Sequence, residues 1–248
     1  MADNLLKGDP FFIEFEQTFL HGDILLKESA DAPPSILCLH GGSPSAERNN
    51  FFLLRQLLLN QYGLSSCSFD FIGHGSTGGK LQDSSLQQRT RQASDIVDAC
   101  FDSKPFSILA QGMSAYTALK LTQVFSVSNL VLLTPKIYSH NNYSLPFGED
   151  LLQMAQLPNN WKNSDACSII ENFQGKISLI GTDQHKRIST KVINTLNEHA
   201  VSAKQKQTLE ITSPHHQLIS FADHEPEILV KITKTIANVL DTPKINYH

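Results

Sequence analysis

FSILAQGMSAYTALKL, residues 106–121, passes from a short apolar run through a cluster of small residues into a helical pattern. Ser107-Ile108-Leu109-Ala110 has the length and apolar content of a buried strand, and Ala118, Leu119 and Leu121 lie on one side of a helix. Between them the chain must reverse within Gln111-Gly112-Met113. A sharp strand-to-helix turn pushes one side chain outward and requires small neighbours, because bulk there collides with the adjoining backbone.

At these residues the chain resembles the α/β-hydrolase superfamily, whose elbow commonly reads Gly-His-Ser-Met-Gly-Gly. Ala110-Gln111-Gly112-Met113-Ser114-Ala115 keeps a small residue wherever the pattern needs one and places Gly112 at the nucleophile's position. A second register, Gly112-Met113-Ser114-Ala115-Tyr116, makes Ser114 the nucleophile but puts Tyr116 where the turn needs a small residue. The steric logic favours the first, which leaves a hydrolase elbow without a hydrolase serine.

Outward from the elbow, Ser35 to Leu39 reads as a strand covered on both faces, since it is apolar without alternation. It leads into His40-Gly41-Gly42-Ser43, which resembles the superfamily's oxyanion loop. Glycine there lets the backbone approach a substrate, and a preorganised N–H stabilises charge that develops in the transition state. The resemblance implies the amides of Gly42 and Met113 as donors, with His40, Gly41 and Gln111 beside them. Leu64 to Phe71 is the next strand, ending in Asp70-Phe71-Ile72-Gly73-His74-Gly75-Ser76-Thr77-Gly78. That stretch resembles the superfamily's Asp-x-x-Gly-x-Gly-x-Ser turn, whose usual role is structural, so neither Asp70 nor His74 is expected to be catalytic.

The remaining elements alternate. Phe11–Glu16 and Asp23–Glu28 suggest a hairpin turning at His21-Gly22. Asn50 to Tyr62 has helical apolar spacing with Gly63 as its stop, and Ser84-Ser85-Leu86-Gln87-Gln88-Arg89 opens another helix with Ser84 or Ser85 as N-cap. Strands follow at Ser128–Leu133, Lys176–Gly181 and Thr208–Thr212, and Glu225 to Leu240 forms a closing helix. Repeated alternation of strand and helix predicts a mostly parallel sheet with helices on both faces. The expectation is one α/β-hydrolase domain over residues 1–248, with 135–172 as a small cap. Pro135, Pro146 and Pro158 interrupt that cap, and only Glu149–Leu157 has helical character. Leu145-Pro146-Phe147-Gly148 and Trp161 are candidates to line an acyl-sized pocket, although Trp161 equally suits packing of the cap on the core.

In the superfamily the triad's acid commonly stands three residues past a glycine such as Gly181, which here is Gln184. Asp183, one residue earlier, is the alternative acid. After the last strand, Ser213-Pro214-His215-His216-Gln217-Leu218 resembles the family's final loop, with His216 matching the catalytic histidine and His215 the weaker candidate.

A chain of 248 residues with 40% hydrophobic and 18% charged content fits one large soluble domain. A net charge of −4 without basic runs gives no expectation of nucleic-acid binding. The four cysteines, Cys38, Cys67, Cys100 and Cys167, have no CxxC spacing and read as free core thiols in a reducing compartment. MADNLLKGDPFF shows neither a charged leader nor a long apolar run, and no stretch reaches the ~18 apolar residues of a membrane span, which points to the cytoplasm. No cofactor or metal is expected.

Three functional readings stand. One is a degraded hydrolase of carboxylic-ester type, altered at Gly112 and Gln184, that binds a small acyl-type ligand or a protein partner. The second is an active serine esterase or thioesterase using Ser114, His216 and Asp183. The third is a noncovalent hydrolase or lyase in which His216 acts on water or on an acidic substrate.

Overall fold

The computed structural model describes residues 8–26, 32–149, 151, 153, 160–183, 189–212 and 218–245. Eight strands form one sheet: β1 Asp9–Phe15, β2 Thr18–Leu25, β3 Ile36–Leu39, β4 Ser66–Phe69, β5 Phe106–Gln111, β6 Val127–Leu133, β7 Lys176–Thr182 and β8 Gln205–Ile211. Their spatial order is β1-β2-β4-β3-β5-β6-β7-β8. β1 and β2 pair antiparallel, as do β2 and β4, and every pairing from β4 through β8 is parallel.

The helices are α1 Phe52–Tyr62, α2 Leu86–Cys100, α3 Ser114–Leu121, α4 Ala166–Glu171, α5 Ser189–His199, α6 Leu218–Ala222 and α7 Pro226–Val239. Period-two alternation assigns each central strand's side chains to two cores. Leu37, Leu39, Ile108, Ala110, Leu130, Leu132, Ile177 and Leu179 join residues of α2, α3, α4 and α5 in one buried cluster. Ile36, Cys38, Leu109, Val131, Leu133 and Ile180 join α1, α6 and α7 in the other. This is the expected sheet with helices on both faces. Among the described residues no helix is long and apolar enough to cross a membrane.

Local signals act largely as read. Gly63 takes a φ of +68° and ends α1 in a left-handed cap. Ser85 is the N-cap of α2, its hydroxyl accepting from Gln88 N at 3.0 Å. The first hairpin departs from expectation: it turns at Glu16-Gln17, and His21-Gly22 lies inside β2, paired with Phe12 and Phe11. Gly22 is small because the Phe11 ring crosses it, with Phe11 Cζ only 2.1 Å from where a Cβ would stand. A strand glycine here marks a close approach rather than a turn. The helices α4 and α5 lack a counterpart in the sequence reading, and most of the Glu149–Leu157 segment lies outside the described residues.

A buried ionic network joins the antiparallel and parallel parts of the sheet. Asp23 on β2 accepts from Arg55 Nη1 at 2.7 Å and from Arg48 Nε at 3.1 Å. Asp70, fully buried just after β4, pairs with the Arg48 guanidinium and accepts from the amides of Arg48 at 2.7 Å and Ser76 at 2.9 Å. The turn after β4 wraps this carboxylate so closely that a Cβ at Gly75 would stand 2.3 Å from Asp70 Oδ2. Removing the Asp70 carboxylate leaves Arg48 Nη1 and two amides without their acceptor. Asp70→Ala is therefore expected to lower stability by about 3 kcal/mol or more, read as a reduced urea midpoint at unchanged slope.

Candidate functional site

The carboxyl-terminal edge of the sheet gathers the loops that the sequence singled out. Leu39 pairs with Ala110, which sets His40-Gly41-Gly42 beside Gln111-Gly112-Met113. Gly112 adopts a φ of +57°, the left-handed region that glycine enters without strain. Its N–H donates to Leu133 O at 2.9 Å, and its carbonyl accepts from Lys136 N at 3.0 Å and Ala115 N at 3.2 Å. The chain reaches Lys136 through Thr134, itself at a φ of +44°, a costly conformation for a β-branched residue. A Cβ built on Gly112 would meet no atom within 4 Å, so position 112 faces open space.

Gly41 and Gly42 run alongside the elbow. A Cβ at Gly42 would stand 2.8 Å from Met113 Sδ, so any side chain there would push that thioether aside. The N–H groups of Gly42 and Met113 have no protein acceptor among the described residues.

Ser114 is fully buried on the other side of this loop. Its hydroxyl donates to His40 O at 2.5 Å and accepts from Arg89 Nη2 at 2.8 Å. Tyr116, also buried, donates through its hydroxyl to Asp165 Oδ1 at 2.6 Å, and Asp165 pairs in turn with Lys120. That chain fastens α3 to the segment preceding α4.

Arg89 is the residue whose part the sequence did not disclose. It is fully buried, and besides Ser114 its Nη2 donates to His40 O at 2.8 Å and Gly41 O at 3.1 Å. The guanidinium lies 3.6 Å from the centroid of the Phe71 ring. Among the described residues no carboxylate pairs with it, and burial pushes its pKa down to about 9. It remains a cation at neutral pH, and the available signal was an arginine at i−4 from Ala93 on the face that α2 buries.

His40 is buried beside this cation. Its Nε2 accepts from Phe71 N at 3.1 Å, so the proton sits on Nδ1, which donates to Gly41 O at 2.8 Å. Burial first, and then Arg89, hold its pKa well below the ordinary 6.5. His40 is thus a neutral strut under the Gly41-Gly42 loop. His74 lies with its ring 4.8 Å from that of His40, and burial together with Arg89 lowers it to about 4.

Asp183, half-buried, follows directly on β7, whose Ile180 pairs with Leu133 and thence with Gln111. It therefore emerges at the same sheet edge as Gly112, two strands away. Trp161 is partly buried and packs against the larger hydrophobic cluster, as does Leu145, while Phe147 is buried within it. Gln184, His215 and His216 lie outside the described residues. Among the described residues no cluster of His, Cys, Asp and Glu is arranged to hold a metal. A groove of about 890 Å³ lies at the opposite edge of the sheet, lined by residues such as Asn129, Phe173 and Lys176, and does not reach the elbow.

No protein-family model matches the sequence, and no curated protein matches it. Solved structures do. The thioesterase domain from the curacin biosynthetic pathway superposes with a TM-score of 0.67 at 13% identity, over 94% of this chain and 99% of that one. The enol-lactonase from Burkholderia xenovorans LB400 gives 0.66 at 14%, over 93% and 100%. Alpha/beta hydrolase domain-containing protein 10 from mouse gives 0.67 at 12%, over 94% and 98%. The chain has the α/β-hydrolase fold.

The two neutral histidines carry a pH signature. Each has a folded-state pKa below its unfolded value, so the unfolded chain binds more protons and stability falls on acidification from about pH 6.5 towards 4. His74→Asn is expected to flatten part of that decline, measured as urea midpoints between those two pH values.

Proposed function

We propose that this protein uses the hydrolase elbow without a covalent serine, to bind a small acyl-type ligand whose carboxylate or carbonyl oxygen sits at Gly112. The observation that carries this is the pairing of an open, left-handed Gly112 with a Ser114 hydroxyl that is buried and committed to His40 and Arg89. A nucleophile must present its oxygen to the substrate, and position 112 is the one facing the open side. In such a site the amides of Gly42 and Met113 hold the ligand's oxygen, and the buried charge of Arg89 strengthens the field behind them. The structural neighbours named as a thioesterase domain and an enol-lactonase support an origin in ester-type chemistry.

With position 112 lacking a hydroxyl, acyl-enzyme formation has no attacking atom, and what remains is binding and electrostatic stabilisation. The Ser114 esterase reading requires that hydroxyl to abandon both partners and cross to the far side of the elbow. Retained catalysis through His216 on a bound water is the noncovalent form of the same site.

Labelling by a fluorophosphonate probe with mass-spectrometric site mapping distinguishes these readings. The wild type and Ser114→Ala are expected to stay unlabelled, and attachment at Ser114 in the wild type would overturn the proposal. Gly112→Ser, in contrast, is expected to label at position 112 if His216 and an acid complete the site. Binding is read separately, by titrating a medium-chain fatty carboxylate while following amide resonances. Shifts are expected at Gly42, Gly112 and Met113, and Gly42→Ala should weaken affinity about tenfold or more by displacing Met113 and its amide.

A further inference from the structure

Cys67 and Cys100 meet where α2 ends against β4. Cys67 pairs in register with Leu37 and lies on the same face of the sheet as Phe69, in the cluster that α2 covers. Cys100 is the last residue of α2 and extends its buried stripe of Ala93, Ile96 and Val97 by one turn. The two thiols face each other across that packing and lie close enough to shift one another, Cys100 down and Cys67 up. They differ in access, since Cys67 is fully buried whereas Cys100 is half-buried.

We propose that Cys67 and Cys100 form a reversible peroxide-oxidised thiol pair, with Cys100 as the attacking sulfur and Cys67 as the resolving one. Sulfenic-acid chemistry requires an accessible thiolate and a second thiol close enough to trap the product. Cys100 has both: the neighbouring Cys67 thiol favours its thiolate, while burial, and then the same contact, raises Cys67. The other cysteines lack the arrangement. Cys38 points into the opposite core, and burial pushes it up to about 12. Cys167 on α4 is raised by burial as well.

In the first step the Cys100 thiolate attacks one peroxide oxygen, the O–O bond breaks, and the departing hydroxide takes a proton to leave as water. Cys67 sulfur then attacks the Cys100 sulfenic sulfur, the S–O bond breaks, and the leaving hydroxide takes the Cys67 proton. Two thiols are oxidised to one disulfide, and one hydrogen peroxide is reduced to two waters. The link joins β4 to the helix that carries Arg89, and it leaves Gly112 untouched. It is independent of what the elbow binds.

The test is mild hydrogen peroxide treatment of the reduced full chain, followed by thiol counting under denaturing conditions and non-reducing peptide mapping. Free thiols should fall from four to two, with a single peptide joining Cys67 to Cys100 that dithiothreitol separates. Cys67→Ala should instead give a dimedone adduct at Cys100, whereas Cys100→Ser should leave Cys67 reduced. The wild-type arm decides even if a variant fails to fold. Four surviving thiols, a link through Cys38 or Cys167, or Cys100 carried to sulfinic acid beside a free Cys67 thiol would each refute the pair.

Discussion

The buried guanidinium of Arg89 is the contact on which the site's geometry depends. A charge in a low-dielectric interior is tolerable only when fixed dipoles or counter-ions compensate it. Here the carbonyls of His40 and Gly41, the Ser114 hydroxyl and the face of Phe71 do so. They come from three different strand ends, so the one cation holds the loop after β3, the turn after β4 and the start of α3 in fixed relation. Lysine would not substitute, because a point charge cannot serve the loop and the hydroxyl from a planar fork stacked on a ring.

That cation also explains the state of its neighbours. His40 and His74 lie next to it and are kept neutral, by burial first and by its field second. A neutral His40 can accept from Phe71 N on one side and donate to Gly41 O on the other, which orients the loop beside the elbow. The Asp23–Arg48–Arg55–Asp70 network supplies the opposite solution to the same problem, pairing buried charges directly. It pins the far end of the loop through Arg48, so the glycines between His40 and Arg48 are held from both ends. Pre-organisation of this kind suits a site that acts through fixed dipoles, since donors already in place need no reorganisation when an anion arrives.

Gly112 takes its meaning from that frame. Its left-handed conformation, costly for other residues, is free for glycine, so a scaffold that shapes a strained elbow has here no strain stored in it. The Ser114 hydroxyl serves the frame and not the open side. The turn and the buried cation thus stand in a chain whose position 112 carries no side-chain oxygen.

Much of this was legible in the residues themselves. Apolar runs of strand length alternating with helical periodicity specify a mostly parallel sheet, because side-chain direction along a strand or helix follows from local geometry alone. The glycines after β3, the small residues of the elbow and the Asp70 turn were equally readable, since each answers a local steric demand. Tertiary structure alone decided the rest. Gly22 looked like a turn until the Phe11 ring was seen lying across it, and nothing in the spacing placed the Ser114 hydroxyl between His40 and Arg89. The same holds for Arg89, whose partners lie 25 to 49 positions away in the chain, and for the meeting of Cys67 with Cys100. Spacing in sequence encodes which residues share an element's face, whereas which faces meet is set by how the whole sheet and its helices pack.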